Sequence, residues 1–432
     1  MSPAPARSQV VVVGAGLSGL RCASLLSTQG YEVVVLEASD GIGGRARTDE
    51  VDGFRLDRGF QVLLTSYPEA REAFDYDRLD LGSFEPGALV RDGGDFAPLT
   101  DPLRRPTAVI SAAMSPVATI RDKARLARLR FELAGKDPGR IAAEPQVPTG
   151  LYLEQLGFSR AVVDNFFRPF FGGVLIDPDL ETTSALFQLY FGYFSTGDAA
   201  LPAGGMGALS AQLAERLPEG SIRLEVEVAE VGQGRVVLAD GSAIEADAVV
   251  IATEEIAAAG LLGRDLPTDS STTTCLYFDA PADDVPDRLG RTLLLSGDDP
   301  GPINEVAVPS AVAEAYAPEG RDLISVSAVG REAMRGDLVS AVTDQLAEWF
   351  GSPAVDRWRL LGSYRIENAL PAFPPGRFAP ESTPAEVEPG LFRCGDYMES
   401  PSIQGSLVSG RRAAEAVAGS LAPRLKSGAA VG

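Results

Sequence analysis

Three glycines and an acid carry the first chemistry in the chain: Gly14, Gly16 and Gly19, within Gly14-Ala15-Gly16-Leu17-Ser18-Gly19, and Glu37 further on. At the first position a glycine permits a tight turn, at the second it lets backbone approach a pyrophosphate, and at the third it lets a helix pack closely on a strand. A carboxylate about twenty residues later accepts hydrogen bonds from ribose hydroxyls and disfavours a 2′-phosphate. For these groups to converge, a strand must end at the turn and a helix must start there with its free N–H groups toward the phosphates. A second strand must then end at the acid. The sequence supplies all three: residues 9–13 (QVVVV) suit a buried parallel strand, a helix is expected to run to about Gln29 with Gly30 as its cap, and residues 31–37 finish at Glu37. A βαβ unit that binds FAD or NAD, rather than NADP, is expected.

The next stretch, Ala38-Ser39-Asp40-Gly41-Ile42-Gly43-Gly44-Arg45-Ala46-Arg47-Thr48, again offers glycines for close backbone approach, and Arg45 as a fixed cation for a pyrophosphate. Near the other end, Leu391-Phe392-Arg393-Cys394-Gly395-Asp396-Tyr397 closes an expected strand with a Gly-Asp pair. Residues 401–410 then open a helix through Arg411, Ala413 and Ala416. With its G-G-R-x-x-T run after the ribose acid and its distal Gly-Asp and helix, the chain resembles the flavoprotein family of amine oxidases, protoporphyrinogen oxidases and phytoene desaturases. The resemblance implies FAD as cofactor. It also implies that Asp396 holds the ribityl and phosphate region, while the helix start at Ile403, Gln404 and Gly405 faces the flavin pyrimidine, where reduction gathers negative charge that a helix N-terminus favours. Plant-type desaturases carry Glu where this chain has Gln404. The segment Gly59-Phe60-Gln61-Val62 corresponds to the family stretch that passes close to the flavin ring. Expected strands at 223–231, 235–239 and 247–252, ahead of Thr253, resemble the family's return to the FAD domain, with the residue matching Val228 beside the adenine. The implied fold is α/β: a discontinuous Rossmann-like FAD-binding domain (1–75, 200–262 and 375–432) with an inserted α+β substrate domain (76–199 and 263–374).

Composition removes other mechanisms. Among its 432 residues the chain has no histidine, which excludes Ser-His-Asp and Cys-His hydrolysis and histidine-ligated zinc catalysis. Its lysines are Lys123, Lys136 and Lys426, few candidates for a Schiff base, so the hard chemistry is expected of a cofactor. A net charge of -22 argues against nucleic acid as a partner. Cys22, Cys275 and Cys394 lie too far apart for a zinc pair or a C-x-x-C motif, which makes a reducing, cytoplasmic compartment the expectation. Residues 1–8 lack the apolar core of a secretory signal and are expected to form a disordered tail. Gly204-Gly205-Met206-Gly207 lacks the strand and acid of a second nucleotide fingerprint, so a two-nucleotide reductase is not expected.

Amine oxidases of the resembled family commonly place a lysine near the reactive flavin nitrogen, and none occurs between Lys136 and Lys426. Residues 166–174 (FFRPFFGGV), then Phe187, Tyr190, Phe191, Tyr193 and Phe194, concentrate aromatics. They read either as core and hinge or, as the resemblance to desaturases and hydroxysqualene dehydroxylases implies, as the wall of a long apolar tunnel. Residues 117–133 place Arg121, Lys123, Arg125, Arg128 and Arg130 at helical spacing. This is either a solvated helix paired with acids or a membrane-surface helix, near where desaturases and protoporphyrinogen oxidases carry a docking insertion. The expected reaction is hydride abstraction by FAD from a carbon centre of an apolar small molecule, isoprenoid-like or polycyclic, leaving a double bond, with oxygen or a quinone as electron acceptor. Arg168, Tyr190 and Tyr364 are pocket candidates for which structural roles stay open, and no general base is assigned. Two alternatives remain: an amine oxidase yielding imine and hydrogen peroxide, and a redox-neutral FAD-dependent polyene isomerase or apolar-metabolite binding protein.

Overall fold

The computed structural model describes residues 9–100, 117–265, 270–286, 289–380 and 382–428, without the side chains of Thr100 and residues 423–428. The expected tail at residues 1–8 lies outside them. The valine run forms the strand Gln9–Val13, and the two-residue period of a strand decides what it packs against. Val10 and Val12 face one side with the helices Leu17–Thr28 and Ile403–Gly428, while Val11 and Val13 face the other with Val236. Val236 belongs to a three-stranded meander, Val228–Gly232, Arg235–Leu238 and Ala243–Glu245. Each fully buried valine contributes roughly 1.5–3 kcal/mol relative to an exposed one.

The first sheet runs in the order Ile222–Arg223, Glu32–Leu36, Gln9–Val13, Ala248–Ile251, Leu391–Arg393, Glu386–Glu388. All neighbours in it are parallel except the last pair. Strands from the start, middle and end of the chain thus lie side by side, and the three turns that leave them open on one edge. The single strand expected at 223–231 is two: Ile222–Arg223 joins this sheet and Val228–Gly232 starts the meander. The break falls at Glu225, whose positive φ of 56° no strand continues through, and the N–H groups of Glu225 and Val226 go to the carbonyls of Ser39 and Glu37.

A second sheet has seven strands, ordered Arg359–Pro371, Ser270–Pro281, Arg321–Val329, Glu305–Ala307, Leu293–Leu295, Gly87–Asp92, Asp95–Thr100. Helices Ile120–Leu133, Arg168–Leu175 and Ser184–Thr196 lie beside it and share one apolar cluster with its edge strands. The helix at 120–133 starts where it does because Thr119 and Asp122 cap it reciprocally, each side chain bonding the other's backbone N–H. The core reading of the aromatic run holds in part. Phe167, Phe171 and Phe187 are buried core, with the last two ring centroids 4.6 Å apart, whereas Phe166, Phe170, Phe191 and Phe194 are half-buried.

Candidate active site

A cavity of about 930 Å³ opens between the two sheets. One end is backbone. Gly14, at φ +106°, makes the turn after the first strand, and a Cβ there would sit 2.9 Å from the carbonyl oxygen of Ala252. Gly14, Gly16, Leu17 and Ser18 line the cavity, as do Gly43 and Gly44. The two glycine turns are joined by a hydrogen bond of 2.8 Å from the Gly43 N–H to the Ala15 carbonyl.

Gly16 differs from its neighbours. It caps the 12-residue helix Leu17–Thr28 at φ −75°, which any residue adopts, and a Cβ on it would meet no atom within 4 Å. Neither backbone nor packing requires a glycine there. A bare helix N-terminus facing the cavity is a cradle that a side chain would fill, and it fits a diphosphate. Glu37 lines the cavity beside it, its carboxylate accepting from Ala15 N at 2.7 Å, Ser39 N at 2.9 Å and Ser39 Oγ at 2.7 Å. Those bonds point the acid at the turn and leave it lone pairs for hydroxyl donors.

Gly19 lies under the turn, its missing side chain making room for the Gly14 carbonyl, and does not line the cavity. Ala38 and Val228 do not line it either, and Val228 stays in the meander, paired with Leu238. Thr253 does.

Arg45 and Asp396, from opposite ends of the chain, meet on the cavity wall in an ion pair of 2.7 Å. The guanidinium also donates to the Ala369 carbonyl at 2.6 Å, and Gln61 Nε2 donates to the Arg45 carbonyl at 2.7 Å. The cation expected to serve a pyrophosphate also clasps the first segment to the last. Gly59, Phe60, Gln61 and Val62 continue the wall, as do Gly395, Pro401, Ser402 and Ile403. Gln404 turns away: its Oε1 accepts from Glu69 N at 3.0 Å, because Glu69 is itself held in the protein by Arg21 at 2.7 Å and Arg411 at 2.8 Å. Gly405 also stays behind the wall, where the Ser400 backbone fills the space a Cβ would need.

Of the three pocket candidates, Tyr190 lines the cavity, but its hydroxyl donates to the Pro401 carbonyl at 3.1 Å and burial pushes its pKa up. Arg168 is turned onto Asp164 at 3.3 Å and the Pro178 carbonyl at 2.8 Å, and Tyr364 donates to Asp49 at 2.9 Å; neither lines the cavity. Burial, then the bond to Asp49, pushes the Tyr364 hydroxyl up to about 12.

The other end of the cavity is aromatic, walled by Phe166, Phe170, Phe171, Phe191 and Phe194. Lys123, Leu126, Ala127 and Arg130 of the basic helix border it too. The outer face of that helix carries Ile120, 83% exposed, and Phe131, 76% exposed. Its cations are partly paired, as the acid-paired reading expects: Arg128 meets Glu132 at 2.7 Å. Sequence reasoning missed Glu305, a buried carboxyl on the cavity wall. The available signal was one acid inside the otherwise apolar strand-like run 303–308 (INEVAV) after a polar Asn.

A family model described as flavin containing amine oxidoreductase matches residues 17–418. The chain belongs to that family. It is an FAD-dependent oxidoreductase, with a Rossmann-like FAD-binding fold and a second, substrate-binding part. Coproporphyrinogen III oxidase of Propionibacterium freudenreichii subsp. freudenreichii is 25% identical over 498 residues, which cover 96% of this chain and 92% of that one. A zeta-carotene-forming phytoene desaturase of Myxococcus xanthus is 44% identical over 64 residues, 15% of this chain and 12% of the relative. A solved putrescine oxidase with putrescine bound superposes at a TM-score of 0.70 with 19% identity, covering 96% of this chain and 99% of its own; that likeness concerns the fold alone. Among the described residues, no helix is long and apolar enough to cross a membrane.

Proposed function

We propose that this oxidoreductase removes two hydrogens from a largely apolar small molecule held in the aromatic end of the cavity, leaving a double bond. The observation that carries the reading is continuity: one cavity runs from Gly16, Glu37 and Gly44 to Phe166, Phe170 and Phe194. Bound FAD supplies the two-electron oxidant, and oxygen or a quinone restores it. The diphosphate would lie at Gly14, Gly16 and Gly44, the adenosine ribose at Glu37, and the ring end beside residues 59–62 and Pro401–Ile403. The protein's own part is placement and exclusion of water. Phe170 and Phe194, centroids 5.2 Å apart and edge-on, form an aromatic wall that would hold a carbon skeleton by contact rather than by charge. The name desaturase among the relatives denotes this kind of reaction, and the relative matched along nearly its whole length is named an oxidase of coproporphyrinogen III.

The helix Ile120–Leu133 supports a further part of the reading, peripheral contact with an anionic membrane. Its exposed Ile120 and Phe131 flank Arg121 and Arg128, while its inner face borders the aromatic end of the cavity, where an apolar substrate would arrive. The test is anaerobic mixing of the yellow holoprotein with coproporphyrinogen III, phytoene or benzylamine. Bleaching of the flavin by one of the first two, with a product two hydrogens lighter, is expected. Bleaching by the amine alone would replace this reading with amine oxidation.

A further inference from the structure

When two hydrogens leave, one as hydride, the other must leave as a proton, and the aromatic wall of Phe166, Phe170 and Phe194 has no group that accepts it. The chain has no histidine. Most carboxylates on the cavity wall are committed elsewhere: Glu37 accepts from Ala15 and Ser39, Asp396 pairs with Arg45, and Glu254 caps the helix Glu255–Leu261 through Ile256 N and Ala257 N. Glu305 differs in place and environment. It sits on the strand Glu305–Ala307, 7% exposed, and lines the cavity beside the helix that carries Phe170 and Phe171.

The protein makes room for this carboxyl and orients it. Gly173 on the neighbouring helix has no Cβ, and one there would stand 2.6 Å from Glu305 Oε2 and 2.9 Å from Asn304 Nδ2. Asn304 is buried, fixed by donating to the Pro169 carbonyl at 2.8 Å, and its amide also donates to Glu305. Ser327, directly across the strand pair, gives the other hydrogen bond. The titratable group facing it from the next strand is the Cys275 thiol, itself pushed up to about 11, first by burial. Neither Asn304 nor Ser327 is a cation, so no fixed positive charge from them holds this carboxyl ionised.

We propose that Glu305 is the proton acceptor of this cavity, taking the proton from the atom next to the carbon that loses hydride. The inference rests on the dehydrogenation reading above. In the step, the C–H bond breaks with its electron pair and the hydride goes to the oxidant, FAD. The neighbouring carbon–hydrogen or nitrogen–hydrogen bond breaks with its proton going to a Glu305 oxygen, and its electrons form the new π bond. The substrate is oxidised by two electrons, the flavin is reduced by two, and the carboxylate becomes a carboxylic acid. Burial, only partly offset by the bonds from Asn304 and Ser327, pushes this carboxyl up to about 7, where a base is half ionised at the pH at which it works.

The experiment pairs reduction kinetics with infrared spectroscopy on the holoprotein. With whichever of coproporphyrinogen III, phytoene or benzylamine bleaches the flavin, the wild-type rate should rise through an apparent pKa near neutrality. Glu305→Gln should lower that rate by roughly a hundredfold or more and flatten its pH profile. Probe affinity, read from the shift of the flavin spectrum, should change little, and Glu305→Asp should restore a sloping profile. Gly173→Ala, which pushes the carboxyl aside without removing it, should also slow reduction. A Glu305→Gln rate within threefold of wild type with the slope intact would overturn the inference.

If none of the probes reduces the flavin, the dehydrogenation reading fails, and the infrared measurement decides Glu305 by itself. A buried carboxyl band that titrates near neutrality, shifts when a probe enters the cavity and vanishes in Glu305→Gln supports the assignment. Absence of such a band overturns it.

Discussion

Alanine at Gly16 and at Gly19 should fail in different ways, and the difference separates a glycine kept for a ligand from one kept for the fold. At Gly16 the added methyl meets no protein atom within 4 Å and the backbone is at φ −75°. Alanine is a poorer helix cap than glycine, at a cost of up to about 1 kcal/mol. It also restricts the unfolded chain, a gain of roughly 0.4–1 kcal/mol. The apoprotein's stability should therefore move by less than about 1 kcal/mol. The same methyl would occupy the space assigned to the diphosphate. Overpacking of about 1–3 kcal/mol corresponds to a loss of roughly 5- to 150-fold in FAD affinity. At Gly19 the methyl would drive into the Gly14 carbonyl and stand 3.0 Å from the Ala252 Cβ. The apoprotein itself should then lose about 1–3 kcal/mol, partly offset by the ~1 kcal/mol helix preference of alanine. Urea unfolding of both apoproteins and titration with FAD by flavin fluorescence read the two quantities separately. If Gly16→Ala binds FAD within threefold of wild type, the diphosphate does not lie where the bare helix start places it, and the site reading fails.

Glu69→Gln should destabilise the protein by about 3–5 kcal/mol in urea unfolding, because it leaves the Arg21 guanidinium, 5% exposed, buried without its counter-charge; a loss under ~1 kcal/mol would refute this. Burial, against hydrogen bonds from Thr48, Tyr316 and the Met206 N–H, pushes the Asp57 carboxyl up to about 6. A folded value above the unfolded one of about 4 means that its stabilising contribution is full below about pH 4 and fades as pH rises through about 6. The stability gap between wild type and Asp57→Asn should accordingly shift against wild type by about 2 kcal/mol from pH 4 to 7, and a gap independent of pH would contradict the burial argument. Phe131→Glu, at a position 76% exposed, should leave stability within about 0.5 kcal/mol of wild type yet lower co-sedimentation with anionic vesicles severalfold; unchanged binding would remove the membrane contact.

How far the sequence disclosed all this follows from the range of the interactions involved. The strand at Gln9–Val13, the helix after Gly16 and the turn at Gly43-Gly44 were legible because each depends on residues within a few positions of itself. The break at Glu225 was not, since the hydrogen bonds that stop the strand come from Glu37 and Ser39, nearly two hundred residues earlier. Gln404 was placed on the helix start correctly, but its direction is set by Glu69 in another helix, which no local pattern reveals. Glu305 was invisible for a related reason: the space for its carboxyl depends on Gly173 and Asn304 meeting across two elements.

The same long-range contacts couple the fold to its cofactor. The wall of the cavity exists only when the first and last segments of the chain have joined, through Arg45 to Asp396 on the surface of the site and through Glu69 to Arg21 and Arg411 behind it. In both links the arginine is about one-third exposed and the acid is buried, Arg45 with Asp396 and Arg411 with Glu69, but Glu69 has in Arg21 a second, desolvated partner. The inner link, with its extra buried partner, therefore supplies more of the rigidity, and Arg45, which lines the cavity, supplies charge that a bound diphosphate can share. A cofactor that touches both segments binds the joined state alone and stabilises it in proportion to RT ln(1 + [FAD]/Kd). Cutting the inner network should thus weaken FAD binding without touching FAD, which titration of Glu69→Gln with FAD by flavin fluorescence checks; an unchanged affinity would break the link between the two.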